Sequence, residues 1–134
     1  MGNIFQNDDL GKLVTRLLLG LLMLFHGVAK ITNPGSIEFI KGQLLINHLP
    51  ELLVMGVYIG EIIAPLMVIL GLYTRIGGLI MFVNMLFAIY LVHTHEIFAL
   101  SQHGGWALEL QGFYLFLSLA VIFLGSGKLA IKPD

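Results

Sequence analysis

Glu61 is the only charged side chain in the 21-residue run from Leu52 to Leu72, where it takes the tenth position. A carboxylic acid in such a setting can carry protons, hydrogen-bond a ligand, or pair with a base to hold a bundle together. At mid-depth in a bilayer it costs roughly 2.5–3.5 kcal/mol unless it is paired, protonated or hydrated. Few residues can meet it inside apolar segments. They are Arg16, His26 and Lys30 early in the chain, Asn84 in its middle, and Glu109 near its end.

The elements that must position these groups follow from composition. The chain has 134 residues, enough for a single domain over 1–134, and is 57% hydrophobic and 11% charged. A mean hydropathy of +0.93 lies far from the balance of a soluble protein. Four apolar segments follow one another, at 13–31, 52–72, 76–92 and 106–124. A hydrocarbon core about 30 Å thick needs roughly 17–25 helical residues, so each segment qualifies as a span. The expected fold is therefore all-α, an integral membrane four-helix bundle inserted in a lipid bilayer. The first segment does not read as a signal peptide, because Asn7-Asp8-Asp9 before it is acidic and no small-x-small cleavage site follows.

Charge and residue usage exclude several classes. A net charge of −1 and a pI near 6.5 give no footing for nucleic acid. The absence of cysteine rules out disulfides, thiolate metal sites and dithiol relays. The basic residues orient the bundle. Lys12, Arg16, Arg75, Lys128 and Lys132 fall on one side, and Lys30 and Lys41 on the other, so both termini are expected in the cytoplasm. Trp106 and Tyr90 mark the outer interface and Tyr73 the inner one. All five histidines (His26, His48, His93, His95 and His103) then lie in the outer half or beyond it.

Helical geometry selects which polar groups share a face. Arg16, Gly20, Met23, Gly27 and Lys30 align on the first helix, with His26 at the edge of the stripe. Val54, Val57, Pro65 and Val68 share a face with Glu61, and Gly56, Gly60 and Ala64 form a small-residue series suited to close helix contact. Asn84, Ala88, Leu91 and His95 align on the third helix, and Glu109 heads a stripe of Phe113, Phe116 and Ala120 on the fourth. Turned inward, these faces make an outer-half cluster of His26, Lys30, Glu61 and Glu109, with Asn84 near mid-depth.

The connections carry less information. Asn33-Pro34-Gly35 opens a 20-residue link in which Ile37, Ile40 and Leu44 recur at helical spacing. A short interfacial helix is expected there, which either caps a cavity or, more simply, bridges two helix ends. Thr74-Arg75 is expected to form a tight inner turn closed by Gly77-Gly78. In the outer loop, His93, His95 and His103 are the candidates for a metal such as zinc, copper or nickel. Their i, i+2 spacing matches no regular zinc motif, so no metal is expected. Haem between His26 and a third-helix histidine is disfavoured, since no second histidine sits at matching depth.

Arg16 with Gly20, His26-Gly27-x-x-Lys30, Gly60-Glu61, Gly71-x-x-Thr74-Arg75, Glu109 and the closing Gly125-Ser126-Gly127-Lys128-Leu129 together resemble the DoxX family over about Leu10 to Ile131. Ser126 stands where that family usually has proline, and the Ser-Leu-Asp tail that often follows is absent. The resemblance implies a four-helix protein of the bacterial or archaeal plasma (inner) membrane, in a family often linked to redox systems. Members resemble the membrane subunit of thiosulfate–quinone oxidoreductase, and others are implicated in oxidoreductase complexes that respond to oxidative stress.

Three functions remain open at this point. In the first, the chain is a membrane subunit of a quinone-linked redox system, in which Arg16, His26, Lys30, Glu61, Asn84 and Glu109 line a site for quinone or a small oxidisable compound. An extracytoplasmic or peripheral partner would supply the redox cofactor, because the chain has no nucleotide-binding or cluster-binding motif. In the second, it is a small proton-coupled transporter, working as a homo-oligomer through Glu61. In the third, it is a non-catalytic scaffold that assembles membrane proteins through its small-residue faces. Each residue also has a purely structural alternative. Glu61 can pair with Arg16 or Lys30 as a strut, Arg16 and Lys30 can snorkel to the interfaces, and His26 can be satisfied by a carbonyl.

Overall fold

The computed structural model describes residues 3–134, and the regular elements among them are helical. α1 spans Asp8–Thr32, α2 Pro34–Ile46, α3 Glu51–Leu70, α4 Thr74–Val92 and α5 Glu109–Leu124. Pairing of β type is limited, among the described residues, to the isolated bridges Leu72 with Lys132 and Leu100 with Trp106. α1, α3 and α4 are long and apolar enough to cross a membrane, and α5 is apolar but only 16 residues long. α1 packs on α3, α3 on α4, α4 on α5, and α5 back on α1, closing a four-membered ring with α2 lying across one end.

Helix ends depart from the apolar segments where capping chemistry intervenes. α1 begins at Asp8 rather than residue 13, because the Asn7 side chain accepts from Leu10 N–H at 3.0 Å and Asp8 and Asp9 favour the positive end of the helix. α5 begins at Glu109 rather than Trp106. Trp106 is held in the preceding loop, its indole N–H donating to the Ile97 carbonyl at 2.7 Å. The tight turn expected at Thr74-Arg75 lies instead at Gly71–Tyr73. Gly71 takes a left-handed conformation there (φ 74°), where a Cβ would collide with Ala130. Gly77 and Gly78 are buried within α4, and a Cβ on either would press on α3 or α5.

The inward face of α1 is the expected one: Arg16, Gly20, Met23 and Gly27 are all buried. On α5 the inward face differs from expectation. Phe113 and Phe116 are largely exposed, whereas Gly112, Tyr114, Ser118 and Val121 are buried. The main core joins Leu19 and Met23 of α1 to Ala64 and Val68 of α3, Met81 and Met85 of α4, and Tyr114 and Val121 of α5. A smaller cluster of Ile37, Leu44, Val54 and Leu91 fixes α2 to the ends of α3 and α4. Lys41 adds an ion pair at 3.6 Å to Glu51 at the start of α3.

Glycine sets the α1–α3 distance. A Cβ on Gly27 would strike the backbone carbonyl of Glu61 and approach Ile62 Cγ1 to 2.7 Å. Gly27→Leu is expected to cost about 1–3 kcal/mol by overpacking, read as a lower melting temperature in detergent. Gly11→Leu, where a Cβ meets nothing within 4 Å, is the matched control and should melt like the parent.

The start of α1, the C-terminal tail and the α3–α4 turn gather at the opposite end from α2. The tail pairs with the end of α3 and the turn after it, with Ile131 N–H donating to Leu70 O and Lys132 N–H to Gly71 O. Arg75 donates through Nη1 to the carbonyls of Ile122 and Phe123, at 2.8 and 3.0 Å, and its backbone N–H donates to Asp134 Oδ2. Lys132 donates to the Tyr73 phenol oxygen at 2.9 Å and holds that phenol below its usual pKa, through the hydrogen bond first and its charge second.

Candidate functional site

Glu61 lies on a single π-helical turn, Ile59–Ile63, inserted in α3. Pro65 explains why the regular ladder fails here. It has no N–H to donate to the carbonyl four residues back, which is that of Glu61. The helix widens instead, and Ala64 N–H donates to the carbonyl of Ile59, five residues back. Such turns recur at functional sites because they re-aim side chains without breaking the helix. Gly27 packs directly against the freed Glu61 carbonyl, so α1 covers the irregular backbone.

The Glu61 carboxylate is nearly buried (7% exposed) and accepts from Lys30 Nζ at 2.5 Å, the lysine side chain being 27% exposed. This pair stands between two cavities. A large one, about 500 Å3, is bounded by α2, α3 and α4. Its walls are mainly apolar (Phe39, Ile40, Val57, Phe87, Ala88 and Leu91), with Lys30, Glu61, Asn84 and His93 converging at one side. A small one, about 110 Å3, lies toward α5 and is bounded by His26, Gln111 and Tyr114 together with the same four polar residues. The His26 and Tyr114 rings meet edge to face, with centroids 5.5 Å apart. Asn84 also packs against Gly60, where a Cβ would lie 2.6 Å from Asn84 Cβ, so this glycine admits the amide between α3 and α4.

Of the residues singled out from the sequence, Lys30, Glu61 and Asn84 meet, and His26 joins them at the small cavity. Arg16 does not. It is 1% exposed, so it does not snorkel, and it does not pair with Glu61. Its guanidinium donates to four backbone carbonyls, those of Val68, Ile69, Ser126 and Leu129, at 2.7–3.1 Å. Fourteen residues separate it from Lys30, about 21 Å of helix. Glu109 does not join either: it is exposed at the first position of α5 and lines neither cavity. α2, for which a simple bridge was the plainer expectation, walls the large cavity with Ser36, Phe39 and Ile40.

Three participants lie outside the expected set. Gln111 and Tyr114 are three residues apart on α5 and continue to Ser118 and Val121 as a stripe of helical spacing. His93, expected only as a metal candidate, ends α4 and reaches both cavities. A second histidine thus does stand near the level of His26, but the space they share is far below the roughly 300–1,000 Å3 of a ligand pocket and has no room for haem. His95 is off the helix and exposed; with His93 it approaches Glu96, at 3.3 and 3.2 Å. Among the described residues no set of three or more His, Asp or Glu side chains gathers to hold a metal.

The DoxX family model matches residues 11–94, from the first turns of α1 to just beyond α4. An uncharacterized protein of Haemophilus influenzae is 32% identical over 119 residues, which cover 87% of this chain and 84% of the relative. A Bacillus subtilis protein named "Putative oxidoreductase CatD" is 28% identical over 129 residues, covering 96% of this chain and 89% of that one. No solved structure matches the chain.

Proposed function

The chain belongs to the DoxX family, and on that premise we propose that it is the membrane subunit of a redox system, binding a quinone or a similar small oxidisable compound in the large cavity. The observation that carries this reading is the row of Lys30, Glu61, Asn84 and His93 along one wall of an otherwise apolar space of about 500 Å3. That volume falls within the roughly 300–1,000 Å3 of small-molecule sites, which also pair apolar walls with a few convergent polar groups. The name of the Bacillus subtilis relative points to the same class of chemistry.

A bound quinone supplies a carrier of two electrons and two protons. The chain's own residues supply orientation and proton handling. Lys30 has three donors and uses one on Glu61, and the Asn84 amide offers two more, so both can donate to ring oxygens. Glu61 is the group placed to accept each of the two ring-hydroxyl protons in turn. Their route outward is the small cavity, which is polar and roomy enough for a few waters beside His26, Gln111 and Tyr114. Glu109, which lines neither cavity, takes no part in it. Electrons pass to a peripheral partner carrying the redox cofactor.

In this reading α5 completes a four-span bundle in the plasma membrane of a bacterium or archaeon, with both termini cytoplasmic. Lys12, Arg16, Arg75, Lys128 and Lys132 sit at the end bearing the termini, against Lys30 and Lys41 toward the α2 end, which supports that orientation. The cavities then open in the outer half.

Calorimetric titration of a tailless benzoquinone into the purified protein tests the proposal. Saturable binding is expected, weakened about tenfold by Asn84→Leu, the loss of one or two ligand hydrogen bonds. Absence of binding to the parent, or equal affinity in Asn84→Leu, would remove the proposed site.

A further inference from the structure

The large cavity does not end at its polar wall. A second space, about 460 Å3, runs along the seam between α3 and α4 and is lined by Leu53, Gly56, Ile59, Leu79, Ile80, Val83, Asn84 and Phe87. Leu53, Gly56, Asn84 and Phe87 belong to both, so the two spaces share a junction. Asn84 stands at that junction, and the rest of the groove offers no polar side chain. The junction is open beside Gly56, where a Cβ would meet nothing within 4 Å. From Phe87 to Leu79 the groove follows α4 for eight residues, about 12 Å along the helix axis. Its outer walls, Ile59, Leu79 and Val83, are about half-exposed on the surface of an apolar helix pair.

Resting on the quinone-site reading above, we infer that the ligand is lipid-borne: its ring occupies the polar cavity and a prenyl or alkyl tail lies in the α3–α4 groove, so that it enters sideways from the bilayer. A water-soluble ligand would leave the groove without a role. A phospholipid fits the polar end poorly, because the lysine there is already paired and the carboxylate beside it repels a phosphate. A neutral ring bearing carbonyl or hydroxyl groups matches both the donors at the head and the apolar walls of the seam. The π turn at Glu61 lies on the same helix as the groove, so ring and tail are positioned by one rigid element.

The test compares two ligands in detergent solution: the dimethoxy-methyl-benzoquinone ring without a tail, and the same ring carrying a decyl chain. Ile59→Trp and Val83→Trp fill the groove from its lipid-facing side and leave the polar cavity untouched. Each is expected to weaken the decyl ligand about tenfold through lost apolar burial, while the tailless ring binds each variant as it binds the parent. Equal losses for both ligands, or none for either, would overturn the inference and leave the ring site standing. Failure of both ligands to bind the parent would instead overturn the reading beneath it. A decyl quinone with a photoreactive group at the chain tip provides a check on the unaltered protein. Adducts on Ile59, Leu79, Ile80 or Val83 are expected; adducts confined to other surfaces, or displacement of the probe by an equal amount of phosphatidylglycerol, would assign the groove to bulk lipid.

Discussion

Glu61→Gln is expected to weaken quinone binding by roughly 10–100-fold while leaving the fold in place, since a hydrogen bond to a charged group is worth about 1.5–3 kcal/mol. Glutamine keeps the size of the side chain and can still accept from Lys30. It loses the charge, and with it the ability to take a proton from the ligand. Lys30 is 27% exposed and can lift its ammonium toward the outer interface, so the orphaned cation should not unfold the bundle. Titration with the tailless ring, alongside melting curves of both proteins, separates the two effects. Because Lys30 and Glu61 touch, Lys30→Met combined with Glu61→Gln should weaken binding by less than the sum of the single changes. Additive losses would mean that the two side chains act separately on the ligand.

Arg16→Met is expected to have the opposite profile: a loss of stability of about 3–5 kcal/mol with ring affinity unchanged in the folded protein. Four carbonyls, from the last turn of α3 and from the tail, lose their buried donor at once. The planar fork of the guanidinium reaches all of them, which a single ammonium cannot, so Arg16→Lys should restore little. Melting in detergent and proteolysis of the tail beyond Gly125 are the readouts. A variant that melts like the parent but no longer binds the ring would place Arg16 in the ligand site after all.

Much of this arrangement is legible in the residues themselves. The α1 stripe and the buried positions Gly60, Ala64, Pro65 and Val68 of α3 follow from helical periodicity. Gly56, the third of the small-residue series, is instead exposed, and a Cβ there would meet nothing within 4 Å. The π turn at Ile59–Ile63 interrupts the 3.6-residue repeat. Arg16 shows where periodicity stops being informative. It shares a stripe with Lys30, but a wheel projects away depth, and the two ends of one stripe lie in different environments. Glu109 misled for a different reason. A charge drew attention to the stripe it heads, whereas the buried stripe of α5 runs through Tyr114, Ser118 and Val121, with Gln111 half-buried at its start, and carries no charge. The indole of Trp106, tied to Ile97, also shortens α5 by three residues and leaves Glu109 at its exposed start. The π turn was within reach of the sequence, since Pro65 falls four residues after Glu61, but the cavities were not. They depend on how α2 folds across the ends of α3 and α4, a tertiary contact made by Ile37 and Leu44.

The Lys30–Glu61 wall is proposed to hold a redox-active ring. The most direct test is organic extraction and mass spectrometry of the protein purified in mild detergent, compared with Glu61→Gln purified identically. A prenylated quinone is expected in substoichiometric to stoichiometric amount with the parent, with a marked depletion in the variant. Equal quinone in both samples, or none in the parent even after incubation with excess quinone, would contradict it.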